Sequence, residues 1–432
     1  MAIKQILCAL TLCAGSWLWA TAQGEANAGF GADFVDTTLR VDYVLGGTAA
    51  SPTVSVSRVG YQEGWGGRRK NLGRYPLAGN IGVTVTDKIT GDTIYSYGLS
   101  SLYSEWLQLN DSVARAYECP VLVPRPRREA VISLQVRDSR HRTIAEHRLP
   151  YSPADVLVRR LAPSGYNVTS IHTGSSEGTK IPVAILPEGF TADEMDSFHD
   201  YAKRTVEAIF KHEPFGKYRE RFDFFAVDVP SRDSDVSHPA DGKWRDTPFG
   251  SHFSTFLEPR YLTTSNMVDV HNALAGTPYQ HIIILANTAT YGGGGIFNSY
   301  TLTNTGNPQF EPVVVHEFGH SFGGLGDEYF YADDVFSDTY PTDIEPWEPN
   351  LTTLTDFHGK WENLIAEGTP MPTPTDSVSV RKYPVGLYEG GGYAFKGVYR
   401  PADLCRMRVN DVDVFCPACQ QALERLILFL TE

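Results

Sequence analysis

The sequence predicts an α+β, multidomain chain: an N-terminal β-sandwich followed by an α/β domain. Two observations carry that expectation. Up to residues 152–166, short β-like runs alternate with turn residues and no segment sustains a helical period. Beyond residue 166, candidate strands alternate with candidate helices. The 432 residues, 42% hydrophobic and 20% charged, suit a globular protein of that size rather than a disordered or fibrous one.

In chain order, the first 22 residues read as an export signal. Lys4 gives the positive start, Ile6 to Ala20 is a mostly apolar run, and Ala20-Thr21-Ala22 supplies small residues for cleavage, so the mature chain begins near Gln23. The run is too short for a membrane anchor, and no later stretch is apolar enough to span a bilayer. Residues 23–160 form the expected sandwich of seven or eight strands. Thr53 to Ser57, Gly82 to Thr86 and Ala130 to Val136 are among them.

Residues 161–432 form the α/β domain. Lys180 to Pro187 reads as its first strand. A helix follows: Thr191 caps it, Glu194 sits three residues on as a capping box, and Met195, Phe198, Ala202, Val206 and Ile209 repeat at helical spacing. Phe222 to Val229 is a second strand. His281 to Leu285, continuously apolar after its histidine, is a third, buried on both faces. Helices over residues 311–321 and from Cys419 to Leu430 complete the reading.

Without the signal, 36 basic residues stand against 51 acidic ones, a net charge of −15 once Lys4 is removed. That excludes nucleic acid as an obvious partner. Cys119, Cys405, Cys416 and Cys419 remain in the mature chain. In an oxidising compartment, one disulfide among the last three is expected.

The chemistry concentrates in residues 314–329, Val-Val-His-Glu-Phe-Gly-His-Ser-Phe-Gly-Gly-Leu-Gly-Asp-Glu-Tyr. His316 and His320 lie one helical turn apart on one face, where two imidazoles can bind one Zn²⁺ at about 2.0–2.1 Å each. Glu317, beside the first histidine, is placed to act as general base on the attacking water. Apolar Val313, Val314, Val315 and Phe318 give the ligands a buried base, which an incidental pair of histidines would not require.

A third ligand must come from the turn after the helix. Gly326 occupies the place, ten residues after His316, where the extended zinc-protease signature has its third histidine. Asp327 is therefore the expected ligand, with the doubled glycine adding one residue to the turn. The competing reading makes Asp327 a carboxylate that orients a histidine, and Glu328 is the next candidate.

Four other features bear on function. The glycine-rich stretch Tyr291 to Asn298 reads either as a strand edge that pairs with an extended substrate or as a flexible surface loop. Tyr393 and Tyr399 are candidate hydrogen-bond donors to a developing oxyanion. Asp233, Asp235 and Asp241, with His238, offer ligands for a structural Ca²⁺. The EF-hand spacing is absent, so a solvated loop is the favoured reading. Asn167 and Asn350 begin glycosylation sequons.

The string from His316 to Tyr329 resembles the IgA-peptidase family of bacterial zinc metallopeptidases, a metzincin-like group. The resemblance extends to Ile185 to Phe190, Glu389 to Tyr393, Tyr399 to Pro401, Cys405 to Arg408 and Phe415 to Cys419. It implies a β-sandwich ahead of a metzincin-like zinc peptidase domain, one catalytic Zn²⁺, and Met407 as the methionine of a turn beneath the metal. A metal-dependent endopeptidase acting on a polypeptide, a host protein or glycoprotein among the candidates, is the activity it implies. Immunoglobulin cleavage does not follow from fold and metal chemistry. The rival expectation is an exported binding or adhesion protein with a catalytically silent peptidase-like domain. Export leaves the periplasm, the cell surface and the medium as locations.

Overall fold

The computed structural model describes residues 29–109, 112–331 and 339–432. The export signal expected over residues 1–22 lies outside them. Among the described residues no helix is long and apolar enough to cross a membrane.

The first region runs α1 (Phe30–Asp33), β1 (Phe34–Thr48), β2 (Ser51–Glu63), β3 (Ile81–Asp87), β4 (Thr93–Leu99), α2 (Leu102–Gln108), β5 (Arg115–Pro126), β6 (Ala130–Arg137), β7 (Thr143–Tyr151) and β8 (Arg159–Arg160). These strands form two four-stranded sheets, ordered β5-β1-β2-β8 and β4-β3-β6-β7. Alternate residues of each sheet enter one shared core: Leu39, Val41, Tyr43 and Leu45 from β1, Ile81, Val83 and Val85 from β3, and Ile132, Leu134 and Val136 from β6. Period-two burial on one face is what an antiparallel sheet with one wet side produces.

Helix α2 was not anticipated. Its seven residues are too few to establish a helical period, and it is held by burial of Tyr103 and Trp106 in the sandwich core. The Tyr103 hydroxyl also donates to the Gly46 carbonyl at 2.7 Å.

The second region continues with β9 (Val168–Thr173), β10 (Ile181–Glu188), α3 (Met195–Phe210), β11 (Phe222–Val227), α4 (Met267–Ala273), β12 (His281–Ala286), β13 (Gly293–Ile296), β14 (Tyr300–Asn304), α5 (Phe310–Gly323), α6 (Ser377–Lys382), β15 (Tyr388–Gly391), β16 (Ala394–Arg400) and α7 (Pro417–Thr431). Six of the strands form one sheet, ordered β13-β14-β12-β10-β11-β9. β10, β11, β12 and β14 are parallel, while β9 and β13 close its edges antiparallel.

The apolar runs of β10 and β12 serve both faces of this sheet. Ile181, Val183, Ile185, Ile283 and Leu285 pack with α3, α5 and α7. Ala184, Leu186, Ile282 and Ile284 pack with α4 on the other side. The capping box at Thr191 and Glu194 is formed, and Phe198, Ala202, Val206 and Ile209 of α3 are buried.

The expected disulfide is not formed. All four described cysteines are free. Cys119 is buried in the sandwich core, and the Cys405 and Cys419 sulfurs stand 3.8 Å apart, beyond the roughly 2.05 Å of an S–S bond.

Polar contacts join the two regions. Buried Arg40 pairs with Asp42 within β1 and donates to the Asn272 side chain at 3.0 Å and the Val268 carbonyl at 3.2 Å, both in α4. Glu118 accepts from the Val268 amide at 2.7 Å, and Asn298 donates to the Gly98 carbonyl at 2.7 Å. Arg40→Ala leaves Asp42 buried with Arg58 as its remaining cation. A destabilisation of about 3 kcal/mol is expected in urea unfolding, with faster proteolysis between the regions. An unchanged midpoint would show that this contact does not hold them together.

Candidate metal centre

Helix α5 presents its ligands by burying everything else. Val314, Val315, Phe318 and Phe322 lie in the core, and Phe318 and Phe322 pack against Phe215 with ring centroids 5.3 and 5.4 Å away. His316, Glu317 and His320 fall on the opposite, half-buried face. The helix ends at Gly324, whose φ of 60° lies in the left-handed region that costs glycine nothing. This cap reverses the chain, so that Leu325 and Asp327 return to the histidines.

The reversal sets the tautomers. His320 Nδ1 donates to the Leu325 carbonyl at 2.6 Å, and His316 Nδ1 donates to the Arg406 carbonyl at 3.0 Å. A carbonyl only accepts, so in each neutral ring the proton is on Nδ1 and the Nε2 lone pair is free. The two Nε2 atoms lie 3.0 Å apart, with Asp327 Oδ1 3.1 and 3.2 Å from them. That buried oxygen has no hydrogen-bond partner. Three electron-rich atoms facing one another repel unless a cation or a proton lies among them, and this donor set fits a divalent metal.

Two contacts orient the aspartate. The Tyr393 hydroxyl donates to Asp327 Oδ2, and the Gly392 amide donates to the Asp327 carbonyl at 2.7 Å. Tyr393 has φ 67°, a strained value for a tyrosine, and is held by a backbone bridge to Phe330. Asn350 clamps the turn: its side chain accepts from the Gly326 amide at 2.7 Å and donates to the Gly326 carbonyl at 2.9 Å.

In the metal-free protein, burial disfavours the charged form of His320, but the Asp327 carboxylate overcomes it and pushes the ring up to about 9. His316 moves up by the same balance, and burial is outweighed at Asp327 by the histidine charges, which hold it well below the usual carboxylate range. Burial raises Glu317, the histidines pull it back, and Asp327 raises it again. Its carboxylate lies against β13: a Cβ on Gly293 would stand 2.9 Å from Glu317 Oε1.

Comparison with protein families finds the model described as IgA Peptidase M64 over residues 170–384 and 379–427, and the Peptidase M64 N-terminus model over residues 29–148. The chain belongs to the M64 peptidase family. Comparison with curated proteins finds no match. M64 membership makes the chain a peptidase of a metallopeptidase family, with a polypeptide as its substrate; the N-terminus model falls on the first region of the fold and the peptidase model on the second.

In this M64 peptidase the other expected residues separate. Met407 is fully buried beneath α5, where a Cβ on Gly319 would lie 2.6 Å from its sulfur. Tyr399 is not brought to the centre. It pairs through its backbone with Thr352 and packs on the core, and the charge that reaches its hydroxyl is that of Glu389. The stretch 291–298 is no loose loop: Gly293–Ile296 is a strand on α5. The outer edge at Gly293 is bridged by Tyr261, which removes the simple strand-addition reading there. In the loop of Asp233, Asp235 and Asp241, Asp233 accepts from the Asp246 amide at 2.8 Å, and His238 Nε2 lies 3.4 Å from Asp235 Oδ1. Asn350, read as a sequon, is fully buried and structural.

Glu105 was missed by the sequence reading. This α2 residue of the first region accepts a hydrogen bond from Tyr261, whose ring lies 2.9 Å from a Cβ built on Gly294. Burial lifts Glu105 to about 7, and the charges of His320, Glu317 and Asp327 reach it. No motif marks it, because its proximity arises from docking of the two regions.

Two outcomes follow from this geometry. His320 sits above its ordinary 6.5 in the metal-free fold, so its stabilising pairing is fully present below about pH 6.5 and is lost as pH rises through about 9. Metal-stripped protein should show falling urea midpoints across that window, and metal-loaded protein should not; a flat profile when stripped contradicts the pairing. A methyl at Gly295 would lie 2.3 Å from the Glu317 carbonyl and 2.8 Å from the His320 Cβ. Gly295→Ala should therefore lower both thermal stability and metal occupancy, as read by melting and elemental analysis.

Proposed function

We propose that the chain is an exported zinc endopeptidase with a metzincin-like catalytic domain, acting on internal peptide bonds of proteins or glycoproteins. The observation that carries this reading is the convergence of His316 Nε2, His320 Nε2 and Asp327 Oδ1 at one largely buried point beside α5, with Glu317 alongside. These three residues would hold Zn²⁺. When bound, the ion supplies Lewis acidity, polarising the scissile carbonyl and making water more acidic.

The remaining work falls to side chains. Glu317 accepts a proton from the attacking water and returns it to the leaving amine; burial raises its carboxyl above the usual carboxylate range. Asp327, fixed by Tyr393 and by the turn at Gly324, closes the ligand set. On this reading Tyr393 is a positioning residue acting through Asp327. The positively charged, apolar start of the sequence supports export.

Glu317→Gln should lower turnover of an unfolded protein substrate by roughly 10²–10⁴-fold while leaving metal content intact. His316→Ala should lose both. Tyr393→Phe should weaken metal affinity by roughly 10–100-fold, read by competition with a chelator. Full activity in Glu317→Gln would sink the mechanism. Bound metal without proteolysis across a broad panel of substrates would favour a binding protein instead.

A further inference from the structure

A second set of metal-ligating side chains lies behind the first. Glu328, Cys405, Cys416 and Cys419 are all buried, and one ligand atom from each lies within 4.8 Å of the others. Three separate segments supply them. Glu328 follows Asp327 in the turn, Cys405 precedes Arg406 and Met407, and Cys416 and Cys419 are the cap and first turn of α7, in the order Cys-Pro-Ala-Cys.

We propose that these four residues hold a second, structural Zn²⁺. Two cysteines three apart at a helix start, with a third sulfur from a distant loop, form a donor set that suits zinc. Zinc–sulfur bonds of about 2.3 Å in a tetrahedron place two sulfurs about 3.8 Å apart. Cys405 and Cys419 stand 3.8 Å apart, and Cys419 lies 3.0 Å from Glu328 Oε1. The other oxygen, Glu328 Oε2, is buried with no hydrogen-bond partner. A disulfide would consume two of the three sulfurs and leave Glu328 Oε2 buried without a partner.

The ion would be enclosed by four protein ligands with no open position, the mark of a structural rather than a catalytic site. On binding, the three thiols and any protonated carboxyl release their protons to solvent. Three thiolates and a carboxylate around a dication leave excess negative charge. Fully buried Arg400, which interacts with Glu328, and the amino end of α7 oppose it.

Such an ion would brace the first centre. The Glu328 amide donates to the Met407 carbonyl at 2.9 Å, and the Arg406 carbonyl receives His316 Nδ1. Fixing Glu328 and Cys405 therefore fixes the neighbours of the Asp327 ligand and of the carbonyl that sets the His316 tautomer.

The test is elemental analysis of the full chain, purified under reducing conditions and reconstituted with Zn²⁺, together with the absorption of the Co²⁺-substituted protein. The expected result is about two ions per chain in the wild type and about one in His320→Ala. His320→Ala should keep an intense near-ultraviolet thiolate-to-Co²⁺ band. Cys419→Ser should lose that band and melt at lower temperature. If Cys419→Ser fails to fold, the wild-type band and protection of three thiols from alkylation until a chelator is added decide the matter. The proposal is overturned if the reconstituted wild type lacks the thiolate band, if its thiols react freely in the metal-loaded state, or if a disulfide accounts for two of them by mass. Loss of the first centre alone in His320→Ala leaves the second readable, so failure of one assignment is distinguishable from failure of the other.

Discussion

The chain reversal at Gly324 is the constraint on which the candidate centre depends. A helix alone brings two imidazoles to one face and leaves the metal position open to any third group. By ending α5 in a left-handed residue, the chain returns the Leu325 carbonyl to His320 Nδ1 and the Asp327 carboxylate to both Nε2 atoms. One backbone event thus chooses the tautomer and the third ligand together. Asn350 and Met407 then hold the reversed segment from outside.

The reversed segment is costly to bury. Asp327 and Glu328 are adjacent carboxylates with almost no solvent exposure, and each has an oxygen without a hydrogen-bond partner. A protein interior tolerates such atoms when a cation compensates them. Asp327 turns toward the two histidines and Glu328 toward the three sulfurs, so consecutive residues face opposite donor sets. The loop Cys405-Arg406-Met407 runs between these sets and contributes to both.

The first region is part of this arrangement rather than an appended module. Its Arg40 and Glu118 bind α4, and its Asn71 donates to the Phe429 carbonyl of α7 at 3.1 Å. Its Glu105 receives Tyr261 beside the glycines that admit β13 to the metal helix. Changes in the sandwich can therefore reach the centre through packing, without touching a ligand.

Local periodicity was enough to read α3, α5, α7, the strands β10 to β12 and the pairing of His316 with His320, because each is encoded by residues within a few positions of one another. Glycines after His320 also announced a turn with a carboxylate beyond it. The sequence could not decide between Tyr393 and Tyr399, since the turn between β15 and β16 sends the Tyr393 hydroxyl to Asp327 while Tyr399, within β16, packs on the core. Nor could it distinguish a disulfide from a four-ligand cluster at Cys405, Cys416 and Cys419, because Glu328 joins them across 77 or more residues of chain. The burial of Asn350 and the approach of Glu105 were equally hidden. Such contacts depend on how distant backbone segments stack, and only the tertiary structure fixes that.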